Sequence, residues 1–313
     1  MRLPAWSTNR RVRLVAAGVA ASLAIIVSGG LALAVFGSSP SVGGNTFTTT
    51  ILAPPTGPAA VGGANIVLTW TATTSTFATG TNVLRSSTSG GPYTQIAQVT
   101  PRTTATYTDS PVAGTYYYVL QSYFQNWVSV NTAQVTAGVS TNTGYLSCSA
   151  NAADAGGDGN GYETAPASAC AADSVFAVDA NSGTGTSTLC TSAAKDKHRF
   201  YNNGFAIPAS SVINGIEVRL DALKSGTGTV PKLCVQLSWD AGTTWTTAKN
   251  TATITGAKVT YTLGTTADNW GRTWASTEFS NANFRLRVID VDNVTTQTFQ
   301  LDYVAVRVTY TPP

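Results

Sequence analysis

Beyond residue 40 the hydrophobic positions of this chain alternate with polar ones in short runs. Ile66-Val67-Leu68-Thr69-Trp70 is one such run, and Asn82–Arg85, Tyr93–Val99, Ala105–Asp109, Gly114–Leu120 and Trp127–Val130 follow. Turn residues separate them, as at Ser89-Gly90-Gly91-Pro92. A period of two with punctuating Gly, Pro and Ser predicts half-buried strands at sandwich spacing. The pattern returns more strongly further on. Ile216, Val218 and Leu220 share one face opposite Glu217, Arg219 and Asp221. Leu233-x-Val235-x-Leu237, Phe284-x-Leu286-x-Val288 and the run Leu301–Tyr310 repeat it. No long stretch has apolar residues at helical spacing. The fold class predicted is all-β: one sandwich over residues 54–137, a linker at 138–144, and a larger sandwich over 145–313.

The N-terminus breaks the pattern. Leu14 to Phe36 is apolar and uncharged, and Arg2, Arg10, Arg11 and Arg13 precede it without any acid. A helix of about 20 apolar residues spans a bilayer, and one-sided arginines keep their flank cytoplasmic. Residues 1–40 are therefore read as an export signal or a single-pass membrane anchor, joined by a linker at 41–53. Ala32-Leu33-Ala34 offers a small-x-small cleavage site. Both readings place the sandwiches outside the cytoplasm, secreted in one and membrane-anchored in the other.

Charge and cysteines refine this picture. The net charge is +3, but four of the 18 basic residues and none of the 15 acidic ones lie before residue 40. The remainder is close to neutral, which gives no electrostatic basis for nucleic-acid binding. All four cysteines fall at or beyond Cys148. An even count in an exported chain suggests two disulfides. Of the three pairings, Cys148–Cys170 would staple a glycine-rich loop and Cys190–Cys234 would tie a loop to a strong strand.

The first sandwich resembles a fibronectin type III module over about Pro54–Ala137. The likeness rests on a proline-rich lead, the Leu68-x-Trp70 strand, the Arg85–Tyr93 hairpin, the Tyr116-x-Tyr118-x-Leu120 strand and a closing Val130-Asn131-Thr132-Ala133 strand. It implies that Trp70 is the core tryptophan. It also implies that the Tyr116 hydroxyl bonds back to the backbone at a strand corner. Gln121-Ser122 stands where the family usually has a basic residue and alanine. The family implies a spacer or adhesion scaffold. The second sandwich is loosely similar to jelly-roll modules of secreted bacterial proteins, many of which bind carbohydrate.

Four features of the second sandwich bear on chemistry. Ser238-Trp239-Asp240-Ala241-Gly242-Thr243-Thr244-Trp245 follows the Asp-box pattern, in which Asp caps a tight hairpin and the last tryptophan packs it down. One copy cannot make a propeller, so the motif is structural. Asp154, Asp158, Asn160 and Glu163 are spaced by glycines and could wrap calcium, which takes roughly 6–8 oxygens, although such composition is also ordinary for a solvated loop. Trp270-Gly271-Arg272-Thr273-Trp274 lies between strands. Trp270 and Trp274 there could stack on sugar rings while Arg272 bonds hydroxyls, and buried loop anchors are the alternative. The lone histidine, His198, sits in the charged run Lys195–Arg199, which reads as a solvated strand start. Glu163, Glu217 and Glu278 are the only glutamates, and none lies in a catalytic motif.

Taken together, the residues point to a non-catalytic surface protein for binding or display, with a cell-surface glycan or envelope protein as partner and the membrane reached through the N-terminal segment. No cofactor beyond calcium is called for. A small glycosidase or its accessory, and a self-associating envelope subunit, are the competing readings.

Overall fold

A computed structural model describes residues 50–313; the N-terminal apolar segment lies outside them. The described chain is all-β. Its first strands are β1 (Thr56–Val61), β2 (Ile66–Thr71), β3 (Gly80–Ser86), β4 (Thr94–Val99), β5 (Thr106–Asp109), β6 (Gly114–Phe124), β7 (Trp127–Val128) and β8 (Val135–Val139). They form two antiparallel sheets, β1-β2-β5 and β4-β3-β6, with β7 and β8 both paired to β6. Alternation explains the packing. In β2 the side chains of Ile66, Leu68 and Trp70 point into the core while Val67, Thr69 and Thr71 face out.

That core closes on Val83, Tyr118 and Leu120 from the opposite sheet. The Tyr116 hydroxyl donates to Val112 O at 3.1 Å, which is the tyrosine corner. A buried polar set ties the sheets at one edge. Tyr118 donates to Asp109 Oδ2 at 2.7 Å, and Arg85 pairs with the same carboxylate at 2.9 Å. The closing strand differs from the sequence reading: regular pairing to β6 runs over Val135–Val139, and Val130–Ala133 is irregular. Ser129 and Thr132 donate backbone N–H groups to Ser122 and Leu120 across that gap.

The remaining strands are β9 (Thr141–Asn142), β10 (Leu146–Ser147), β11 (Ala150–Asp154), β12 (Ala177–Asp179), β13 (Lys197–Tyr201), β14 (Val212–Ser225), β15 (Lys232–Ser238), β16 (Lys249–Asn250), β17 (Val259–Gly264), β18 (Arg285–Val291) and β19 (Thr298–Thr311). One sheet runs β10-β19-β14-β17, with β9 and β12 also on β19; the other runs β11-β13-β18-β15-β16. Ile216, Val218, Leu220, Val304, Val306 and Val308 of the first sheet meet Leu233, Val235, Leu237, Leu286 and Val288 of the second, all almost fully buried. This is a jelly-roll-like sandwich. Within the stretch read as a linker, Val139 ends β8 while Thr141 and Asn142 already pair with β19. Thr115 Oγ1 also donates to Pro312 O at 2.9 Å.

The charged face of β14 is more covered than its alternation suggests. Glu217 and Asp221 are buried, because Arg307 grips Glu217 at 2.7 Å and Arg219 grips Asp221 at 2.6 Å. Cys148–Cys170 and Cys190–Cys234 are the two disulfides, with Cα separations of 4.9 and 5.7 Å. They close loops of 22 and 44 residues. Loop-closure entropy makes them worth about 3 and 4 kcal/mol.

Candidate functional site

The Asp-box residues fold as their chemistry demands. Asp240 Oδ1 accepts from Ser238 Oγ at 2.8 Å and from Thr244 N at 2.8 Å. Ala241 and Gly242 take positive φ of 61° and 93°, which tightens the turn after β15. The turn leaves Trp239 and Trp245 half-exposed rather than packed away. The Arg272 guanidinium lies 3.9 Å from the Trp239 ring, and that of Arg287 lies 4.0 Å from the Trp245 ring. Such stacked cations hold indoles in place.

The sugar platform expected on Trp270 and Trp274 needs correcting. Both rings are only 4% exposed. Trp270 sits at φ +56°, which turns its indole inward so that Nε1 donates to Ile216 O at 2.9 Å. Trp274 Nε1 donates to Asn269 O at 2.7 Å, and its ring packs on Phe279 and Phe284. Their open faces are spent on the core. Arg272 is the one member of the trio that reaches the surface: it lies between Trp239 and Trp274, with Glu278 in a bidentate pair at 2.9 Å.

What remains open among the described residues is a cleft of about 410 Å³ lined by Trp239, Trp245, Thr246, Lys249, Trp270 and Arg272. The acids around it are all engaged. Burial pushes Asp240, Asp268 and Glu278 up, but hydrogen bonds outweigh it. Thr244 and Ser238 hold Asp240, Lys249 and Trp270 N hold Asp268, and Arg272 and Ala275 N hold Glu278, each below its ordinary carboxylate value. None can carry a proton as a general acid near neutral pH.

In the glycine-spaced loop the carboxylates face protein groups. Asp154 is held by Arg287 at 3.1 Å, with Arg199 at 3.8 Å. Asp158 accepts from Asn160 and Asn181, and Glu163 accepts from Ala180 N at 2.8 Å. Each of these three carboxylates accepts at least one hydrogen bond from the protein. Among the described residues, no three acidic, histidine or cysteine side chains are gathered for a metal.

The run read as solvated is largely buried. Lys195, Asp196 and His198 are at most 2% exposed. Lys195 Nζ donates to Asp292 O at 2.7 Å and Ser182 Oγ at 3.2 Å. His198 Nδ1 accepts from Tyr162 N, so its Nε2–H donates to Asn151 Oδ1 at 3.0 Å. Burial lowers His198 to about 4, and the imidazole is neutral. Beside it, Asp179 and Asp290 are both buried, and Tyr162 OH donates to Asp290 at 3.0 Å. Burial raises both carboxyls, so one keeps its proton. This pair does not line the cleft.

No protein-family model and no curated protein matches the chain. Solved structures do resemble it. A Fn3-like protein from Clostridium thermocellum is 38% identical, spans 29% of this chain and 95% of its own, and has a TM-score of 0.26. Chicken CNTN1 domains FN1–FN3 are 10% identical, spanning 78% of this chain and 69% of theirs, with a TM-score of 0.28. A carbohydrate-binding module of the β-sandwich superfamily is 12% identical, spanning 82% of this chain and 99% of its own, with a TM-score of 0.29. The two sheets, the buried Trp70 and the Tyr116 corner make the first sandwich fibronectin type III-like. The second is jelly-roll-like.

Proposed function

We propose that this is an exported, non-catalytic surface protein whose second sandwich binds a carbohydrate chain at the Trp239–Trp245 cleft, with the first sandwich as its stalk. The cleft itself carries the reading. Its volume falls within the range of small-ligand sites, about 300–1,000 Å³, and it combines half-exposed indoles with Arg272, Lys249 and Thr246. Indole faces suit the C–H faces of sugar rings, and the polar groups suit hydroxyls. The two disulfides accord with an oxidising, extracytoplasmic compartment. Hydrolysis is disfavoured because Asp240, Asp268 and Glu278 are all held ionised.

The test is a glycan array with the full chain, followed by titration of Trp239→Ala and Trp245→Ala against the best glycan. Removing an aromatic anchor costs about 2 kcal/mol or more, which is about thirtyfold in Kd. Unchanged affinity in both folded variants overturns the site.

A further inference from the structure

The first sandwich has an exposed aromatic group of its own, at the end opposite the Tyr116 corner. Phe77 in the β2–β3 loop packs edge-on to Phe124 at 5.7 Å, and Phe124 packs edge-on to Trp127 at 6.5 Å. Trp127 is 42% exposed, and Val128 and Val130 beside it are also open. An exposed cluster of this kind on a sandwich tip marks a contact surface.

Two observations say what covers it. The chain enters the sandwich at this end. Ser75, two residues before Phe77, accepts from Ala53 N at 2.9 Å and donates to Ile51 O at 3.4 Å. Ile51 is 81% exposed and stands at the boundary with the segment that leads back to Leu14–Phe36. Residues 37–50, even fully extended, reach at most about 50 Å from that apolar stretch. The charge balance fits as well. Between residues 50 and 140 the only charged side chains are Arg85, Arg102 and Asp109. Arg85 and Asp109 neutralise each other. Arg102 donates to Thr73 O at 2.8 Å, which puts an unneutralised cation at the aromatic end. Tryptophan with aliphatic neighbours and a cation, free of acids, is the composition that seats at a lipid headgroup layer.

We propose that this tip, Phe77, Phe124, Trp127 and Val128 with Ile51, rests on the membrane surface into which Leu14–Phe36 inserts. The proposal rests on the anchor reading of that segment. It gives the stalk an orientation: tip on the lipid, second sandwich pointing away. The 11-residue strand β6 separates the tip from the far end by about 35 Å.

The experiment uses the full chain in vesicles of phosphatidylcholine and phosphatidylglycerol that contain a headgroup-proximal nitroxide lipid. The native cysteines are all in disulfides, so Trp127→Cys and Val112→Cys each supply one thiol for an environment-sensitive fluorophore. Val112 is 80% exposed and lies at the corner end. A probe at 127 should be quenched about threefold or more beyond a probe at 112, given the shallow seating of interfacial residues. Equal quenching in protein that co-floats with the vesicles overturns the tip contact alone. Equal quenching with concentration-dependent self-quenching at 127 assigns the tip to a second copy and also overturns it. Failure of the full chain to co-float overturns the anchor and the proposal together.

Discussion

Replacing Trp270 by alanine separates a structural indole from a binding one. The ring is almost fully buried, and its Nε1–H is bonded to Ile216 O in β14. Truncating a buried Trp costs about 3–5 kcal/mol through lost burial and the cavity left behind. The orphaned Ile216 carbonyl adds about 1 kcal/mol or more. The total is about 4–6 kcal/mol, which for a domain of this size lowers Tm by about 10–20 °C. Trp270→Phe keeps most of the volume and loses the bond, so its cost should be about 1–3 kcal/mol. Calorimetry and urea unfolding of the full chain read both, with the second sandwich's transition moving. A Trp270→Ala protein that unfolds at the wild-type temperature and loses glycan binding would refute the burial argument and restore the ring to the binding face.

Trp70→Ala should cost about 3–5 kcal/mol in the first sandwich and leave the second sandwich's transition in place, since the two hydrophobic cores share no residue; a joint collapse in calorimetry would show that they unfold as one. Asp196 is raised to about 7, chiefly by burial. Folding therefore takes up a proton, and its contribution is full at low pH and is lost as pH rises through 7. The stability of wild type relative to Asp196→Asn should accordingly fall from pH 4 to 7, with the opposite contribution of His198 cancelling in the difference; a constant difference in urea midpoints would refute this. Calcium or a chelator should leave Tm unchanged, because Asp154 and Glu163 already have protein donors; a calcium-dependent rise in Tm by scanning fluorimetry would contradict that.

Period-two patterns carried most of the fold. β2, β14, β15, β18 and β19 lie on the runs they came from, and Tyr116 and Trp70 take the places the resemblance implied. The cysteine pairing was also legible, since each bridge joins a loop to something that can hold it. Indole orientation was not. Whether Trp270 faces in or out depends on a backbone φ of +56° that no spacing encodes. The Lys195–Arg199 run misled for a different reason: the groups that satisfy Lys195 and His198 come from Ser182, Asp292 and Asn151, distant in sequence. Local polarity says nothing about partners supplied by another strand. The cleft was missed because the Asp-box motif implies a packed-down tryptophan, whereas Arg287 props Trp245 from one side.

The position of β19 governs the order in which the molecule can be built. This strand pairs with β9, β10, β12 and β14, and Asn142 meets Thr309 across the sheet. Until residues 298–311 have been supplied, the first strands of the second sandwich have no neighbour and the central strand β14 lacks one side. The first sandwich needs nothing of the kind, since every one of its strand pairs closes before residue 140. A chain delivered from its N-terminal end would therefore complete the first sandwich early and hold β9, β10 and β12 unpaired until late. Pairings this distant in sequence form slowly, and exposed strand edges in the interval invite aggregation. The disulfide Cys148–Cys170 closes within that waiting segment and shortens the chain left to search for β19.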